Sequence, residues 1–170
     1  MTIGIPGSGK STWINSIKDQ YTIICPDEIR KSITGNISDQ TRNDEIWFIT
    51  KNKVIDELFA GHDVILDACN VNTKFRLEFL SGLPECHKVA RVFKIDPGIA
   101  YQRIQEDIRK GVDRSNVPES TIYKMYGEFL FTEKALQYEF ESVIYGSNSN
   151  LTVTLSYDRY QELTRSSRSL

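Results

Sequence analysis

Apolar runs alternate along this chain with stretches of helical periodicity. Runs at 1–5, 21–25, 64–66 and 89–95 read as strands, with a weaker one at 143–145 or 151–157. One helix is expected to begin at Gly9-Lys10-Ser11, and a long one over 44–60 stops at Gly61. Strands separated by helices predict an α/β domain built on a parallel sheet. Asp96 is placed as a helix cap with Pro97 at the first helical position, and Ala100, Ile104 and Ile108 form the apolar stripe that Gly111 ends. A further helix opens at Pro118-Glu119. Its Ile122, Met125, Tyr126 and Phe129 follow the spacing of a core-facing stripe. The first strand is short, because only Met1, Thr2 and Ile3 precede Gly4.

Composition narrows the class. The 170 residues suit one domain over 1–170, and 39% hydrophobic with 26% charged residues excludes a disordered chain. Twenty-one basic against 23 acidic residues leave a net charge of -2. That excludes a general nucleic-acid coat but leaves room for a local basic groove. No run approaches the ~20 apolar residues of a membrane span. Gly4, Gly7 and Gly9 interrupt any signal-peptide pattern, so no membrane association is expected. Cys25, Cys69 and Cys86 are odd in number and lack a CxxC spacing, which points to a reducing cytoplasm and no zinc or disulfide framework. No repeat or linker is visible, and the Ser- and Arg-rich stretch 164–170 reads as a frayed end.

The sharpest chemical signal is Gly4-Ile5-Pro6-Gly7-Ser8-Gly9-Lys10-Ser11, a G-x-x-x-x-G-K-S/T loop between a strand and a helix. Glycines let the backbone curl so that successive N–H groups face phosphate oxygens. Lys10 can reach the β- and γ-phosphates, Ser11 can bind Mg²⁺, and the following helix presents its positive end. Gly4, Pro6, Gly7, Ser8, Gly9, Lys10, Ser11 and Thr12 are therefore the candidate nucleotide-binding residues, with ATP and Mg²⁺ as the implied cofactors.

Such a loop leaves the phosphate acceptor open. After the second strand comes Cys25-Pro26-Asp27-Glu28-Ile29-Arg30, at the sheet end where ligands bind. There Asp27 can accept a proton from a hydroxyl, and Arg30, one helical turn on, can hold a phosphate. The same residues also suit an ordinary helix N-terminus with acids in its first turn. Val64-Ile65-Leu66-Asp67 is an apolar run ending in a carboxylate, the Walker-B-like pattern, followed by Ala68-Cys69-Asn70, Lys74 and Arg76.

Residues 2–13, 27–30, 64–70 and 114–118, in that order, resemble the phosphotransferase domain of phage and bacterial polynucleotide 5′-hydroxyl kinases. They are also similar to the wider group of small P-loop kinases. The resemblance implies a P-loop kinase fold with a central parallel sheet, helices on both faces and a helical lid at about 97–118. It also implies Asp27 as general base, Arg30 as the grip on the acceptor's phosphate, Asp67 as support for the metal or acceptor site, and Asn70 beside it. Lid arginines would clamp the ATP phosphates. The family's two lid arginines usually stand four residues apart; here Arg103, Arg109, Lys110 and Arg114 are on offer. Arg109 and Arg114 are the first expectation and Arg103 the next.

The implied reaction is ATP-dependent transfer of a γ-phosphate to a hydroxyl of DNA or RNA, foremost the polynucleotide 5′-hydroxyl. A hydroxymethylated DNA base, a small-molecule or nucleoside hydroxyl, and acceptor-free ATP hydrolysis stay open as alternatives. A phage-encoded kinase working in a host cytoplasm fits this resemblance. Trp13, Trp47 and Phe48 could stack on a base but suit a core better, and His62 and His87 read as surface residues.

Overall fold

The computed structural model describes residues 1–146 and the short strand Thr152–Val153. Two strand ladders form the centre. One runs β1 (Thr2–Ile3), β4 (Val89–Val92), β5 (Ser142–Tyr145) and β6 (Thr152–Val153); the other pairs β2 (Thr22–Ile24) with β3 (Val64–Leu66). All pairings are parallel except β5 with β6, which is antiparallel. The ladders meet where Gly4 N–H donates to the Cys69 carbonyl (2.9 Å) and the Asn70 side-chain amide donates to the Thr2 carbonyl (2.8 Å). β3 thus lies beside β1, and both present their carboxyl ends at the same edge.

The helices are α1 (Lys10–Ile17), α2 (Pro26–Thr34), α3 (Asn43–Phe59), α4 (Thr73–Leu80), α5 (Pro97–Arg109), α6 (Glu119–Thr132) and α7 (Leu136–Glu139). Asp96 caps α5 as expected, accepting from Gly98 N–H (2.8 Å) and Ile99 N–H (3.1 Å). Ala100 and Ile104 of α5 and Ile122 and Phe129 of α6 pack on Ile3, Ala90, Val92 and Val143 of the sheet. The α6 stripe is therefore core. Each fully buried aliphatic side chain contributes about 1.5–3 kcal/mol here. A second cluster joins Ile24 and Leu66 to Ile29 of α2, Ile46 and Val54 of α3 and Phe79 of α4.

Side chains alternate along a strand, so Arg91 and Phe93 point away from the face that Val92 covers. There α1 closes the sheet, its Trp13 ring 5.6 Å from Phe93 and beneath the Arg91 guanidinium (4.9 Å). Trp47 meets Phe79 edge-on within the second cluster, while Phe48 is exposed. Both tryptophans are thus packing residues.

Three expectations need adjustment. The strand expected over 1–5 is only Thr2–Ile3, because Gly4 turns its N–H sideways to Cys69. The expected strand 89–95 ends at Val92, since the chain then turns into the Asp96 cap. Helix α4 was not anticipated, for a reason that lies with Arg76. The stretches 154–157 and 164–170 fall outside the described residues. Among the described residues no helix is long and apolar enough to cross a membrane.

Candidate active site

The phosphate loop follows β1 directly. Gly7 and Gly9 adopt positive φ values of 79 and 95, in the left-handed region that glycine occupies without strain. A Cβ on Gly7 would lie 2.5 Å from the Ala100 carbonyl oxygen, so the loop leans on the first turn of α5. At Gly9 the same atom would meet nothing within 4 Å. Gly9 supplies no capping side chain to α1, and Ser11 and Thr12 are exposed in its first turn. Open space at Gly9 beside uncapped amides at a helix N-terminus makes a cradle that suits phosphate oxygens.

Lys10 is buried against this loop. Its ammonium donates to the Gly4 (2.8 Å) and Ile5 (2.9 Å) carbonyls and lies 3.9 Å from the Cys69 thiol. Those carbonyls hold the cation within the loop without neutralising it.

The side expected to take the acceptor is built by the β2–β3 pair. Ile24 pairs with Leu66, and Asp67 N–H donates to the Ile24 carbonyl (2.9 Å), so the chain beyond both strands emerges at one edge. Pro26 opens α2, with exposed Asp27 and Glu28 in its first turn. Arg30 is buried. It pairs with Asp27 one turn back, and its Nη2 donates to Asn43 Oδ1 (3.1 Å).

Burial lifts the Asp67 carboxyl above the ordinary carboxylate range; the Lys10 charge pulls it down and Asp27 pushes it up. The Cys69 thiol is also raised by burial, against the pull of the same lysine, and Cys25 is pushed up to about 11 by burial. Asp67 therefore feels the charges of both Lys10 and Asp27. Asn70 has another task. It stands at a positive φ of 47 with its amide nitrogen committed to the Thr2 and Ala68 carbonyls, pinning the β3–α4 connection to β1.

The lid residues divide. Arg103 is exposed on α5; Arg109, the last residue of α5, is exposed with its Nε facing the Gln105 carbonyl (3.4 Å). Arg114, in the loop after α5, is paired with Asp107, and Lys110 with Glu106 (2.8 Å). The loop reaches across to the acceptor side, where Asp113 pairs with Lys31 and Ser115 meets Ser38 (3.3 Å between hydroxyls). Sequence reading missed both crossings, since exposed residues some 80 positions apart carry no local pattern.

His62 pairs with Glu57 (2.6 Å) and His87 with Ser142 (3.1 Å), both exposed and away from the loop's partners. Among the described residues no group of three or more His, Cys, Asp or Glu side chains could hold a metal. A cation here would rely on Ser11 and Asp67 together with phosphate oxygens, which suits the hard, oxygen-only preference of Mg²⁺.

A glycine loop with a buried lysine, an uncapped helix behind it and a parallel sheet covered on both faces define a P-loop kinase-like, nucleotide-binding domain. The chain belongs to the AAA domain family, whose model matches residues 1–130. No curated protein matches it. Among solved structures it is similar to a chain of the Pnkp1/Rnl/Hen1 RNA repair complex, at a TM-score of 0.66 and 19% identity over 79% of this chain and 44% of that one. This chain therefore spans under half the length of that relative. Deoxyadenosine kinase from M. mycoides with bound dATP has a TM-score of 0.54 and 15% identity, covering 96% of this chain and 97% of its own. Shikimate kinase from Acinetobacter baumannii, in complex with shikimate, has a TM-score of 0.52 and 15% identity over 99% and 93%. At these identities the likeness establishes the shared P-loop kinase fold.

Proposed function

We propose that this protein is an ATP-dependent phosphotransferase that moves the γ-phosphate to a hydroxyl of a nucleic acid, foremost the polynucleotide 5′-hydroxyl. The observation that carries this reading is the buried Arg30 guanidinium beside exposed Asp27, at the same sheet edge as Lys10 and Asp67. A base within reach of a hydroxyl, adjoined by a buried cation, suits an acceptor with a phosphate close to its reacting oxygen. The sequence resemblance and the likeness to a chain of an RNA repair complex support the same acceptor class. A nucleoside hydroxyl is the second reading, favoured by the full-length likeness to a deoxyadenosine kinase.

In this reading the acceptor oxygen attacks the γ-phosphorus in line, its proton passes to the Asp27 carboxylate, and the bond to the β-phosphate oxygen breaks to release ADP. Lys10 exchanges the Gly4 and Ile5 carbonyls for phosphate oxygens, and Arg109, Arg114 and Arg103 close from the lid. Ser11, with Asp67 in support, would hold Mg²⁺, which would supply charge neutralisation at the phosphates. Positioning and electrostatics supply nearly all the catalysis, since no covalent intermediate is needed.

Transfer of labelled γ-phosphate to a short single strand with a 5′-hydroxyl tests the reading, beside a duplex with a hydroxymethylated base and a free nucleoside. Asp27→Ala should lower turnover about 10²–10⁴-fold while leaving ATP binding intact. Label on the nucleoside alone, or near-normal turnover in Asp27→Ala, would overturn the reading. Label on the modified duplex alone would move the acceptor from sugar to base.

A further inference from the structure

We infer that Asn43 is a positioning residue that holds the Arg30 guanidinium in place for an anionic group on the acceptor. The inference rests on the acceptor site proposed above. Arg30 has only 5% of its side chain exposed, so each of its N–H groups needs an accounting. Nη1 serves Asp27 and faces the Ile37 carbonyl at 3.5 Å, and Nη2 donates to Asn43 Oδ1 at 3.1 Å. Nε is buried with no partner among the described residues. Of the five Arg30 N–H donors, Nε–H and the second Nη2–H thus stay without a partner among the described residues, and an anionic oxygen at the Nη2 edge would satisfy the latter.

The partner on Nη2 is a neutral amide although a carboxylate is close at hand. Asp39, in the same α2–α3 connection, has its Oδ1 turned to Thr41, accepting from the backbone N–H (2.8 Å) and the hydroxyl (2.6 Å). Asp27 already offsets the Arg30 charge at rest, and a second carboxylate would go on offsetting it after Asp27 had turned to the acceptor hydroxyl. An amide oxygen fixes direction and adds no countercharge of its own. Asn43 is itself set by fold, as the first residue of α3, with its N–H on the Gln40 carbonyl (3.3 Å). When Asp27 leaves Nη1 to accept the hydroxyl proton, Asn43 and the Ile37 carbonyl still orient the guanidinium. Base and anchor can then work independently though they are ion-paired at rest.

The test compares two oligonucleotides with a 5′-hydroxyl. One has an ordinary first internucleotide phosphate, the other an uncharged methylphosphonate there. Wild type should show a KM at least about tenfold lower for the charged acceptor. Asn43→Asp and Asn43→Ala should erase most of that preference, Asp at least as fully as Ala, with KM for ATP and for the neutral acceptor unchanged. Equal losses on both acceptors, or a preserved preference, would overturn the inference.

A second readout needs no acceptor. In ¹⁵N spectra of the intact protein, Arg30 should give resolved, slowly rotating Nη signals in wild type and in Asn43→Asp. They should merge in Asn43→Ala, and their persistence there would overturn the assignment. If wild type phosphorylates neither oligonucleotide, the proposed function fails while the spectra still decide the role of Asn43.

Discussion

Gly7 and Gly9 have similar backbone angles but opposite surroundings, and this separates stability from binding at single residues. An alanine at Gly7 would carry left-handed strain and press its Cβ against the Ala100 carbonyl, which belongs to a core helix and cannot yield. Gly7→Ala should cost about 2 kcal/mol or more in urea unfolding. Gly9→Ala meets only open space, so it should cost about 1 kcal/mol and lose nucleotide binding, because its methyl group fills the phosphate cradle. Similar stability losses in the two variants would contradict this geometry.

Cys25 gives a pH prediction at the same scale. Its thiol rises from an ordinary value of 9.0 to about 11 because burial disfavours the thiolate. The stability it lends is present below pH 9 and is lost as the pH climbs toward 11, since only the unfolded thiol ionises freely in that window. Alkylation at pH 8 should be about a hundredfold slower at Cys25 than at an unfolded cysteine, because the thiolate is the reacting form. Mass spectrometry of the alkylated cysteines, with and without urea, would check it.

Helix α4 shows how an element can hide in a sequence. Thr73–Leu80 places Arg76 on the same face as Phe79 and Leu80, and a charge there spoils any apolar stripe. Only the fold explains it. Arg76 is wholly buried, forked onto Glu139 of α7 (2.5 and 2.9 Å), and donates to the Asn70 carbonyl (2.9 Å) and the Thr73 hydroxyl (2.9 Å). Removing one partner leaves an uncompensated buried charge, so Glu139→Gln or Arg76→Met should cost about 3–5 kcal/mol by denaturant unfolding. The double variant Arg76→Met with Glu139→Leu should recover most of that loss, because a packed apolar pair needs no compensation. Helices α5 and α6 were legible because their caps and stripes are local, with Asp96, Pro97, Ala100 and Ile104 all inside one short segment.

Across the whole molecule, the nucleotide reading predicts mass action. A nucleotide that binds only the folded chain should raise its stability by about 2.7 kcal/mol at a hundredfold excess over Kd. Thermal unfolding with ATP and Mg²⁺ should show this in wild type and lose it in Lys10→Ala, whose ammonium would otherwise meet the phosphates. The lid loop bears on the same scale, since Lys31–Asp113 and Ser38–Ser115 bridge it to the acceptor side. Both contacts are exposed, so each contributes little to stability.

The chain by itself determined the alternation of strands and helices that makes an α/β domain, the phosphate loop with Lys10 and Ser11, and the candidate pair Asp27 and Arg30. Each depends on residues within a turn or two of one another, where periodicity, capping and glycine conformation act directly. Tertiary structure alone decided that Arg30 is buried with Asn43 on its Nη2, that Asn70 ties β3 to β1, and that Arg76 belongs to the core. It also decided that Arg114 rests on Asp107 while Arg103 and Arg109 stay exposed. These outcomes depend on contacts across the fold, where the burial of a charge is settled by partners that no local pattern encodes.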